Sequence, residues 1–265
     1  MTFRWPTAID ETPEEFLKRR GEVFAVFDAR TQDSGNVSFG VAIDRRRYFV
    51  KTAGAPMTTA NLTHPDRVAL LRNAAAIGAT RHRCLPELVA TMDSPHGLVL
   101  VYDWVAGELL QAPASLARFR ALPDWSITDC LDDVFDVHHR LGRIAVDFYF
   151  GSLMYRFEDR RIHLVDLDHY VTEPFRNEMG RMFGSTRFMA PEEHTLGALI
   201  DQTTTVYTLG RLVLLTLGDG SSNRDGFRGC EAQWNLAITA TSTPRSDRPS
   251  TIAEFVEAWR NARAH

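Results

Sequence analysis

Bulky apolar side chains occupy every second position of the segment Val37–Ile43, and this feature constrains the fold most. A period of two is typical of a β-strand with one buried face. Similar runs lie on either side, at Val23–Ala29 and Tyr48–Thr52. Asp33-Ser34-Gly35-Asn36 joins the first two runs with residues that favour a turn, and the basic run Arg45–Arg47 is expected at a tight turn before the third. The start of the chain is therefore predicted to be an antiparallel meander.

The rest of the chain has mostly helical patterns. A helix is predicted at Pro65–Ile77, where the Thr63-His64-Pro65 entry suits a helix start, and a strand follows at Gly97–Trp104. Further helices are predicted at Ser126–Leu141, Asp201–Leu217 and Ile252–Ala262, with short strands around Ile144 and at Ile162–Val165. Strands come first and helices dominate later, so we expect an α+β fold with two domains, residues 1–105 and 106–265.

Composition argues against several classes of protein. Of the 265 residues, 44% are apolar and 24% are charged, as in an ordinary globular chain. The longest strongly apolar stretches, Arg211–Gly218 and Gly97–Val105, are far shorter than the roughly 20 residues that cross a bilayer. Met1–Asp10 lacks the basic start and the apolar run of a signal peptide, so we expect a cytoplasmic protein. A net charge of -4 and a pI near 6.1 predict no nucleic-acid partner, and no membrane partner is expected.

The three cysteines, Cys84, Cys130 and Cys230, are far apart and include no C-x-x-C pair. An odd number of cysteines at such spacings indicates neither a disulfide framework nor a zinc site. All three are therefore predicted to be buried free thiols.

Lysine is rare in this chain, so the position of each lysine is informative. Of the 30 basic residues, only Lys18 and Lys51 are lysines, and the others are arginines. Lys51 lies in the third predicted strand, in Phe49-Val50-Lys51. A simple surface charge is a weak explanation of Lys51, because arginine is the default basic residue here. The broad planar fork of an arginine cannot replace a compact ammonium where a site needs one.

Six segments, including the one that contains Lys51, resemble motifs of the protein-kinase family and follow in the same order. They are Gly35–Gly40, Phe49–Lys51, Gly97–Val105, Ile144–Asp147, Leu164–Asp168 and Gly184–Glu192. The resemblance covers nearly the whole chain and implies a two-lobed fold. The N-lobe, at 1–105, would be a small antiparallel sheet with one main helix, and the C-lobe, at 106–265, would be larger and mostly helical.

The first of these segments resembles the glycine-rich loop, in which small residues let backbone amides approach phosphate oxygens. The match is partial, because Val37 stands at the second glycine of the motif and a hairpin turn alone would require a glycine. The resemblance implies that four residues of the segment bind the nucleotide: Gly35, Ser38, Phe39 and Gly40.

The next two segments would complete a nucleotide site. The resemblance implies that Lys51 neutralises the α- and β-phosphates of ATP. It also implies that Asp103 and Val105 lie in the segment that presents backbone groups to adenine. An ordinary buried strand would explain the same apolar run, so this third match is only supportive.

Two aspartates carry the chemistry that the resemblance implies. Asp147 stands in the place of the base that accepts a substrate hydroxyl proton, and Asp166 in the place of a magnesium ligand. Carboxylates on both sides of an apolar hairpin are hard to explain as core residues, because an unpaired buried charge is costly. Asp147 and Lys51 are thus the expected catalytic residues, and His139, just before this loop, is expected to pack.

The segment from Gly184 to Glu192 resembles the end of the activation segment, including the Ala190-Pro191-Glu192 motif. The resemblance implies that Glu192 pairs with an arginine late in the chain, and Arg248 stands at the matching place. A buried bidentate pair of this kind is structural.

Several residues depart from the family pattern. Asn73 stands where a glutamate normally pairs with the lysine, Tyr149 replaces a lysine of the catalytic loop, and Thr205 replaces an aspartate that braces this loop. Ser152 replaces the asparagine that holds a second metal, and a hydroxyl is a poor magnesium ligand. We therefore expect Asp168, at the glycine position of the metal motif, to supply the missing oxygen ligand beside Ser152.

Three functions follow from these residues. The leading hypothesis is a phosphotransferase that uses ATP with Mg²⁺ or Mn²⁺ and acts on serine or threonine hydroxyls of a protein. The second is a pseudokinase that binds a nucleotide or serves as a scaffold without turnover, and Asn73, Tyr149 and Ser152 favour it. The third is a kinase of small molecules, for which the spacing identifies no substrate pocket.

Overall fold

A five-stranded antiparallel sheet and seven α-helices are present in the computed structural model, which describes residues 3–30, 34–58 and 60–263. The fold class is therefore α+β, as predicted. The chain forms two compact units. The first contains the described residues of Met1–Arg81, Leu85–Ala106 and Asp166–Asp168, and the second those of His82–Cys84, Gly107–Val165 and His169–His265.

The sheet belongs to the first unit and has the strand order β1-β2-β3-β5-β4. Its strands are Glu22–Phe27 (β1), Val37–Ile43 (β2), Arg46–Thr52 (β3), Leu88–Ser94 (β4) and Gly97–Asp103 (β5), and its helices are Pro13–Arg20 (α1) and His64–Ile77 (α2). The strand predicted at Val37–Ile43 is confirmed, and the predicted helix begins one residue earlier than expected. The sequence pattern did not predict α1 or β4.

Both helices of this unit begin with a reciprocal cap. Thr12 accepts the N–H of Glu15, whose carboxylate in turn accepts the N–H of Thr12 at 3.1 Å. Thr63 and Asp66 form the same arrangement at the start of α2. Such caps satisfy N–H groups that have no partner inside the helix, so they fix where each helix starts.

The two faces of the sheet pack against different helices. Phe16 and Leu17 of α1 lie in one core with Val50 of β3, and Leu71 of α2 lies in the other core, against which Phe49 packs. Successive side chains of a strand point to opposite faces, so Lys51 lies on the same face as Phe49. We call this the Lys51 face.

A two-residue turn joins β2 to β3. Asp44 and Arg45 both have positive φ, 48° and 65°, which is the geometry of the tight hairpin turn that matches strand twist. Of the basic run Arg45–Arg47, only Arg45 is in the turn, because Arg46 and Arg47 already belong to β3. The turn predicted at 33–36 is described from Ser34 onward, and its first residue lies outside the described residues.

The second unit is mostly helical. Its helices are Pro113–Arg120 (α3), Asp124–Leu141 (α4), Gln202–Leu217 (α5), Glu231–Ala240 (α6) and Ile252–Arg263 (α7). Its short strands are Glu108–Leu109 (β6), Ile144–Ala145 (β7), Leu153–Arg156 (β8), Arg161–Leu164 (β9), Tyr170–Val171 (β10), Phe175–Arg176 (β11) and Leu199–Ile200 (β12). They pair as β6-β8-β9, β7-β10 and β11-β12. The three predicted helices are present with ends shifted by one or two residues, whereas α3 and α6 were not expected.

The packing role expected of His139 belongs to its neighbour. His138 is fully buried, with Nδ1 at 2.7 Å from the Val134 carbonyl and Nε2 at 2.9 Å from the Tyr170 hydroxyl. Burial lowers the pKa of His138 to about 4, so the ring is neutral. His139 is exposed, because adjacent residues of a helix point about 100° apart.

Two of the three cysteines are buried as predicted, and the prediction for the third is wrong. Cys84 and Cys130 lie in the interior, where burial raises the pKa of each thiol to about 12. Cys230 is exposed because it stands at the start of α6. Among the described residues, no helix is both long enough and apolar enough to span a membrane.

The predicted pair of Glu192 and Arg248 is confirmed. Two nitrogens of Arg248 donate to the two carboxylate oxygens of Glu192, at 2.7 and 3.1 Å, and the Arg248 side chain is 0% exposed. Arg245 donates to Glu192 as well, at 2.9 Å, and binds Asp201 at 2.6 Å. Glu192 is thus the shared acceptor that neutralises a buried arginine.

We expect Glu192→Ala to lower the free energy of unfolding by about 3–5 kcal/mol, because it leaves the Arg248 guanidinium buried without its acid. Arg245→Ala should cost about 1 kcal/mol or less, since it removes a partly exposed partner and leaves the buried pair intact. Urea unfolding followed by circular dichroism measures both. Equal losses for the two variants would contradict this account of the pair.

Candidate functional site

Lys51 is held between two carboxylates within the first unit. Its Nζ lies 2.8 Å from Oδ1 of Asp166 and 2.7 Å from Oδ2 of Asp168. The Lys51 side chain is 11% exposed and that of Asp168 is 4% exposed, whereas Asp166 is 46% exposed. The three predicted residues therefore meet, although Lys51 and Asp166 are 115 positions apart. One acid is buried beside the ammonium, and the other opens to solvent.

Lys51 is charged in this setting. Burial disfavours the ammonium, but the two aspartates outweigh burial and raise the pKa of Lys51. Burial also raises the pKa of the nearby Tyr102 phenol, so this hydroxyl stays protonated. With one ammonium and two carboxylates, the cluster carries a net negative charge and can attract a cation at its exposed edge.

The segment with the two aspartates is anchored by helix α2. Asn73 donates through Nδ2 to the carbonyl oxygen of Asp168 at 2.8 Å. Asp168 therefore supplies a second acid for Lys51. Asn73, which stands where the family has a glutamate, holds the backbone of Asp168 instead of pairing with the lysine. Residues 166–168 belong to the first unit, whereas the predicted boundary placed them in the second.

Asp168 and Ser152, the predicted ligands of a second metal, already have partners in the chain. One carboxylate oxygen of Asp168 contacts Lys51. The buried Ser152 hydroxyl donates to the Asp147 carbonyl at 3.4 Å. No group of three or more His, Cys, Asp or Glu side chains is placed to share a metal in the described ranges. A metal beside Asp168 would need further oxygen ligands from a bound phosphate or from water, which magnesium often uses.

The glycine-rich segment packs closely on the loop that follows β3. Gly35 has a φ of 80°, and a Cβ there would meet Ala60 and the Arg67 guanidinium. Thr52 fastens the segment by donating to the Val37 carbonyl at 2.8 Å. The turn therefore requires glycine for both its backbone angle and its close approach.

Ser38 and Phe39 lie on opposite faces of the sheet. Ser38 pairs with Lys51 in register, so its side chain lies next to the start of the Lys51 side chain on the Lys51 face. Its hydroxyl is buried without a hydrogen-bond partner among the described residues. Phe39 is buried with Val50 in the opposite core. The nucleotide contact predicted for Phe39 therefore cannot come from its side chain, because the period of two turns the ring away.

The two residues predicted to face adenine lie at the end of β5. Asp103 pairs its carboxylate with Arg46 at 2.8 Å and donates its N–H to the Glu87 carbonyl at 3.0 Å. Val105 is partly buried just beyond the strand. Between them, the N–H of Trp104 donates to the Arg47 carbonyl at 3.0 Å. Two of the backbone donors in this segment are thus used by the sheet itself.

Asp147 lies in the second unit, two residues after β7, and has an unusual backbone. Its φ is 59°, and that of Asp166 is 61°. Residues other than glycine rarely adopt this left-handed region, although Asp tolerates it better than most. Such strain persists only where the surroundings enforce it, and it is concentrated at functional sites.

Thr205 braces the segment that precedes Asp147. Its buried hydroxyl accepts the N–H of Ala145 at 2.9 Å. The threonine found in place of the expected aspartate therefore still supplies an acceptor, and it does so without burying a charge.

Glu193 is a residue that the sequence motifs did not single out. It is buried and accepts the N–H of Ala190 at 2.6 Å. Burial, with the charges of Glu192 and Asp147, outweighs that hydrogen bond and raises the pKa of Glu193 to about 7. The sequence offered one indication of Glu193, its position directly after Ala190-Pro191-Glu192. A second glutamate at that position is equally compatible with an exposed, solvated charge.

Comparison with known proteins adds no assignment. No family model matches this chain, and no curated protein matches it. The geometry around Lys51, Asp147 and Asp166 is therefore the basis for a function.

The strain at Asp147 can be measured with a pair of substitutions. Asp147→Gly and Asp147→Ala lose the same carboxylate, but only glycine adopts a φ of 59° without strain. We expect the glycine variant to be more stable than the alanine variant by about 1 kcal/mol in urea unfolding.

Asp129 in helix α4 provides the matched control for this pair. There the order should reverse, because glycine in a helix costs about 1 kcal/mol relative to alanine. The same order at both positions would show that Asp147 is unstrained.

Glu193 predicts a pH dependence of stability. Its pKa is about 7 in the folded chain, against 4.5 for an ordinary glutamate. The stability that the raised pKa of Glu193 contributes to the folded chain is therefore fully present below about pH 4.5, and it is lost as the pH rises through about 7. Relative to Glu193→Gln, the unmodified chain should lose on the order of 3 kcal/mol of unfolding free energy over this interval. If the unfolding free energies of the two proteins in urea change in parallel with pH, a raised pKa of Glu193 is excluded.

Proposed function

We propose that this chain is a phosphotransferase that uses ATP and magnesium, most simply a serine/threonine protein kinase with a two-lobed kinase-like fold, acting in the cytoplasm. The observation that carries the proposal is the ammonium of Lys51 between Asp166 and Asp168. Lys51 is one of only two lysines in the chain, and its charge is maintained despite burial. A compact fixed cation of this kind suits the oxygens of a triphosphate.

The Lys51 face offers further groups that fit a phosphate. Ser38 lies next to Lys51 in the register of β2 and β3, and its buried hydroxyl has no partner among the described residues. A phosphate oxygen that reached this hydroxyl would supply the hydrogen bond that it lacks. Asp166 is half exposed and can offer a carboxylate oxygen to a hard cation. These groups fit magnesium that is shared with phosphates.

The chemistry would be positioning and charge neutralisation. Lys51 would orient the α- and β-phosphates, and Asp147 would orient the substrate hydroxyl. The hydroxyl oxygen attacks the γ-phosphorus, the bond from that phosphorus to the bridging oxygen breaks, and ADP leaves with the electron pair. Asp147 takes the hydroxyl proton. Magnesium, when bound, supplies positive charge to the phosphate oxygens.

A second candidate is a nucleotide-binding protein without turnover. The observation that favours it is the hydroxyl of Ser152, which is buried and donates to the Asp147 carbonyl. A residue engaged in this way stabilises a loop more readily than it holds a metal. Lys51 and Asp166 would then bind Mg-ATP, and Asp147 would not act as a base, because no phosphate would be transferred.

The test combines nucleotide binding with phosphate transfer. We expect Mg-ATP to raise the melting temperature of the purified chain, because a ligand of the native state stabilises it. Lys51→Met should weaken Mg-ATP binding at least about 10-fold through loss of the phosphate contact. Lys18→Met, which changes the only other lysine in an exposed pair with Glu14, should leave binding unchanged.

Two further variants complete the test. Lys51→Arg keeps the charge between the aspartates and should fold, yet its planar fork should still impair binding. Asp147→Asn should retain binding and lose at least about 100-fold in transfer of labelled phosphate to a protein acceptor. Binding that depends on Lys51 without any transfer would replace the phosphotransferase by the second candidate. Absence of Mg-ATP binding would overturn both candidate functions.

A further inference from the structure

Strand β1 forms one edge of the sheet in the first unit, and its side chains are mostly apolar. Only Glu22 is charged among its six residues, and Val23–Phe27 are all apolar. Phe24 and Val26 are 37% and 36% exposed. An edge strand presents backbone N–H and C=O groups that no neighbouring strand uses. This strand therefore has both the backbone and the side chains to pair with a further strand.

The chain covers the opposite edge of the sheet but leaves the edge at β1 open. The N–H of Ile9 donates to the Asp93 carbonyl of β4, and the N–H of Asp93 donates to the Thr7 carbonyl, both at 2.9 Å. Residues 7–9 therefore occupy the edge of β4. In the described ranges, no backbone hydrogen bond joins Val23–Val26 to any strand except β2. One edge is closed by the chain itself, and the other remains available.

The open edge has few of the features that prevent strand pairing. Proteins protect such edges with lysine, proline, inward-pointing charges or bulges. The run Val23–Phe27 contains no proline and no charged residue. It has a single β-bulge, between Val23 and Ala25, opposite β2. A bulge bends the strand that contains it, so the edge suits a short flexible segment better than a long flat strand of another sheet.

Three guanidinium groups lie around the end at which β1 begins. Arg20 is the last residue of α1, just before β1, and Arg45 lies in the turn that joins β2 to β3 at the same end of the sheet. Arg47 reaches β1 from β3, with its guanidinium 5.1 Å from the centroid of the Phe24 ring. All three arginines are exposed. We call Arg20, Arg45 and Arg47 the arginine end of β1.

The arginine end carries an excess of positive charge. The other cations at this end of the sheet have acidic partners, namely Lys18 with Glu14, Arg19 with Glu11 and Arg46 with Asp103. Across the part of the chain that the structure describes, no carboxylate forms an ion pair with the arginine end. Glu22 and Asp44 are the other acids at this end, so guanidinium groups outnumber carboxylates. A chain whose net charge is -4 thus has a locally positive surface beside its open edge, and such a surface attracts acidic groups.

A second copy of this chain fits the open edge less well than a short peptide does. Two β1 strands paired antiparallel would place the arginine end of each copy near Asp28 of the other, because Asp28 follows the far end of the strand. Asp28 already accepts hydrogen bonds from Arg30, at 2.9 and 2.8 Å, so its charge is neutralised. One short, bulged strand on each side also contributes little of the roughly 1,000 Å² that a stable interface between proteins buries. A peptide that adds to a sheet relies on main-chain hydrogen bonds instead.

We propose that the open edge of β1 binds a short acidic segment of a partner protein, which extends the sheet as a strand antiparallel to β1. Main-chain hydrogen bonds to Val23–Val26 hold the segment, and its apolar side chains pack against Phe24 and Val26. In an antiparallel partner, the C-terminal residues lie beside the start of β1. The acidic residues therefore belong at the C-terminal end of the segment, where they meet the arginine end. This binding surface has no part in the proposed phosphate transfer.

The test measures binding of labelled synthetic peptides to the full chain by fluorescence anisotropy at low salt. The probe is Val-Thr-Val-Thr-Val-Glu-Glu. Its matched control is Glu-Glu-Val-Thr-Val-Thr-Val, which has the same composition and charge but carries the acids at the other end. We expect saturable binding of the probe and about 5-fold or more weaker binding of the control, because the exposed ion pairs with the arginine end are lost. Equal affinities for the two peptides would contradict the proposal.

Main-chain pairing is tested separately with N-methylated forms of the probe. Methyl groups on the nitrogens of alternate residues remove the N–H groups along one edge of the peptide and leave those along the other edge. One of the two methylation patterns should therefore lose at least about 10-fold in affinity, and the other should bind like the probe. The same affinity for both patterns would show that the peptide does not bind as an added strand.

Variants of the chain locate the binding surface. Val26→Lys places a charge on the exposed edge and should weaken binding of the probe by about 10-fold or more, whereas Val26→Thr keeps a β-branched residue and should bind within about 3-fold of the unmodified chain. Arg45→Gly removes a guanidinium at a φ of 65°, where glycine is unstrained, and should lower the affinity about 2- to 5-fold. The matched control is Arg72→Ala, which changes an exposed arginine of α2 in the same unit and should leave the affinity unchanged.

Sedimentation velocity examines the alternative occupant of the edge. A dimer that forms with rising protein concentration and is lost in Val26→Lys would show that a second copy covers β1, and it would overturn the proposal. Unchanged affinity of the probe for Val26→Lys, or no binding of any peptide to the unmodified chain, would overturn it as well.

Discussion

The ion pairs between Lys51 and the two aspartates govern the arrangement of the first unit. An ammonium at 11% exposure would be costly alone, and the carboxylates of Asp166 and Asp168 offset that cost. The contact ties β3 to a segment more than a hundred residues later and lets that segment accept a hydrogen bond from Asn73 in α2. Sheet, helix and aspartate segment are thereby fixed around one charge. The same charge is the group best suited to meet phosphate.

Backbone strain marks the two aspartates that the proposed chemistry uses. Both Asp147 and Asp166 have φ near 60°, which ordinary loop residues avoid. Each is held by neighbours: Asp166 by Lys51, and the Asp147 segment by Thr205 and Ser152. These restraints resist relaxation of the backbone at both aspartates. A fixed backbone matters for transfer between two bound groups, since misplacement by an ångström costs rate.

Local signals predicted many of the elements, and the motif resemblance predicted the distant pair of Glu192 and Arg248, but other long-range contacts were not readable from the sequence. Val37–Ile43 and the helix at 65–77 followed from period and capping. Strand β4 escaped because Thr91 and Asp93 weaken its apolar alternation, and only its pairing with β5 defines it. The buried packing role was predicted for His139 and is found at His138, because the apolar pattern of a helix does not determine to within one residue which side chain faces the core. The motif resemblance named Lys51, Asp166 and Asp168, yet no sequence rule places a lysine against an aspartate 115 residues away.

The first unit is not a continuous stretch of chain. Asp166–Asp168 belong to it, although the residues on both sides of them belong to the second unit. A polypeptide cut after Ala106 would keep all five strands of the sheet and lose both acids that neutralise Lys51. Such a fragment would have to solvate the ammonium or release its proton, so its inner surface would open to water. The charge balance of the first unit therefore depends on two residues that follow its last strand by more than sixty positions.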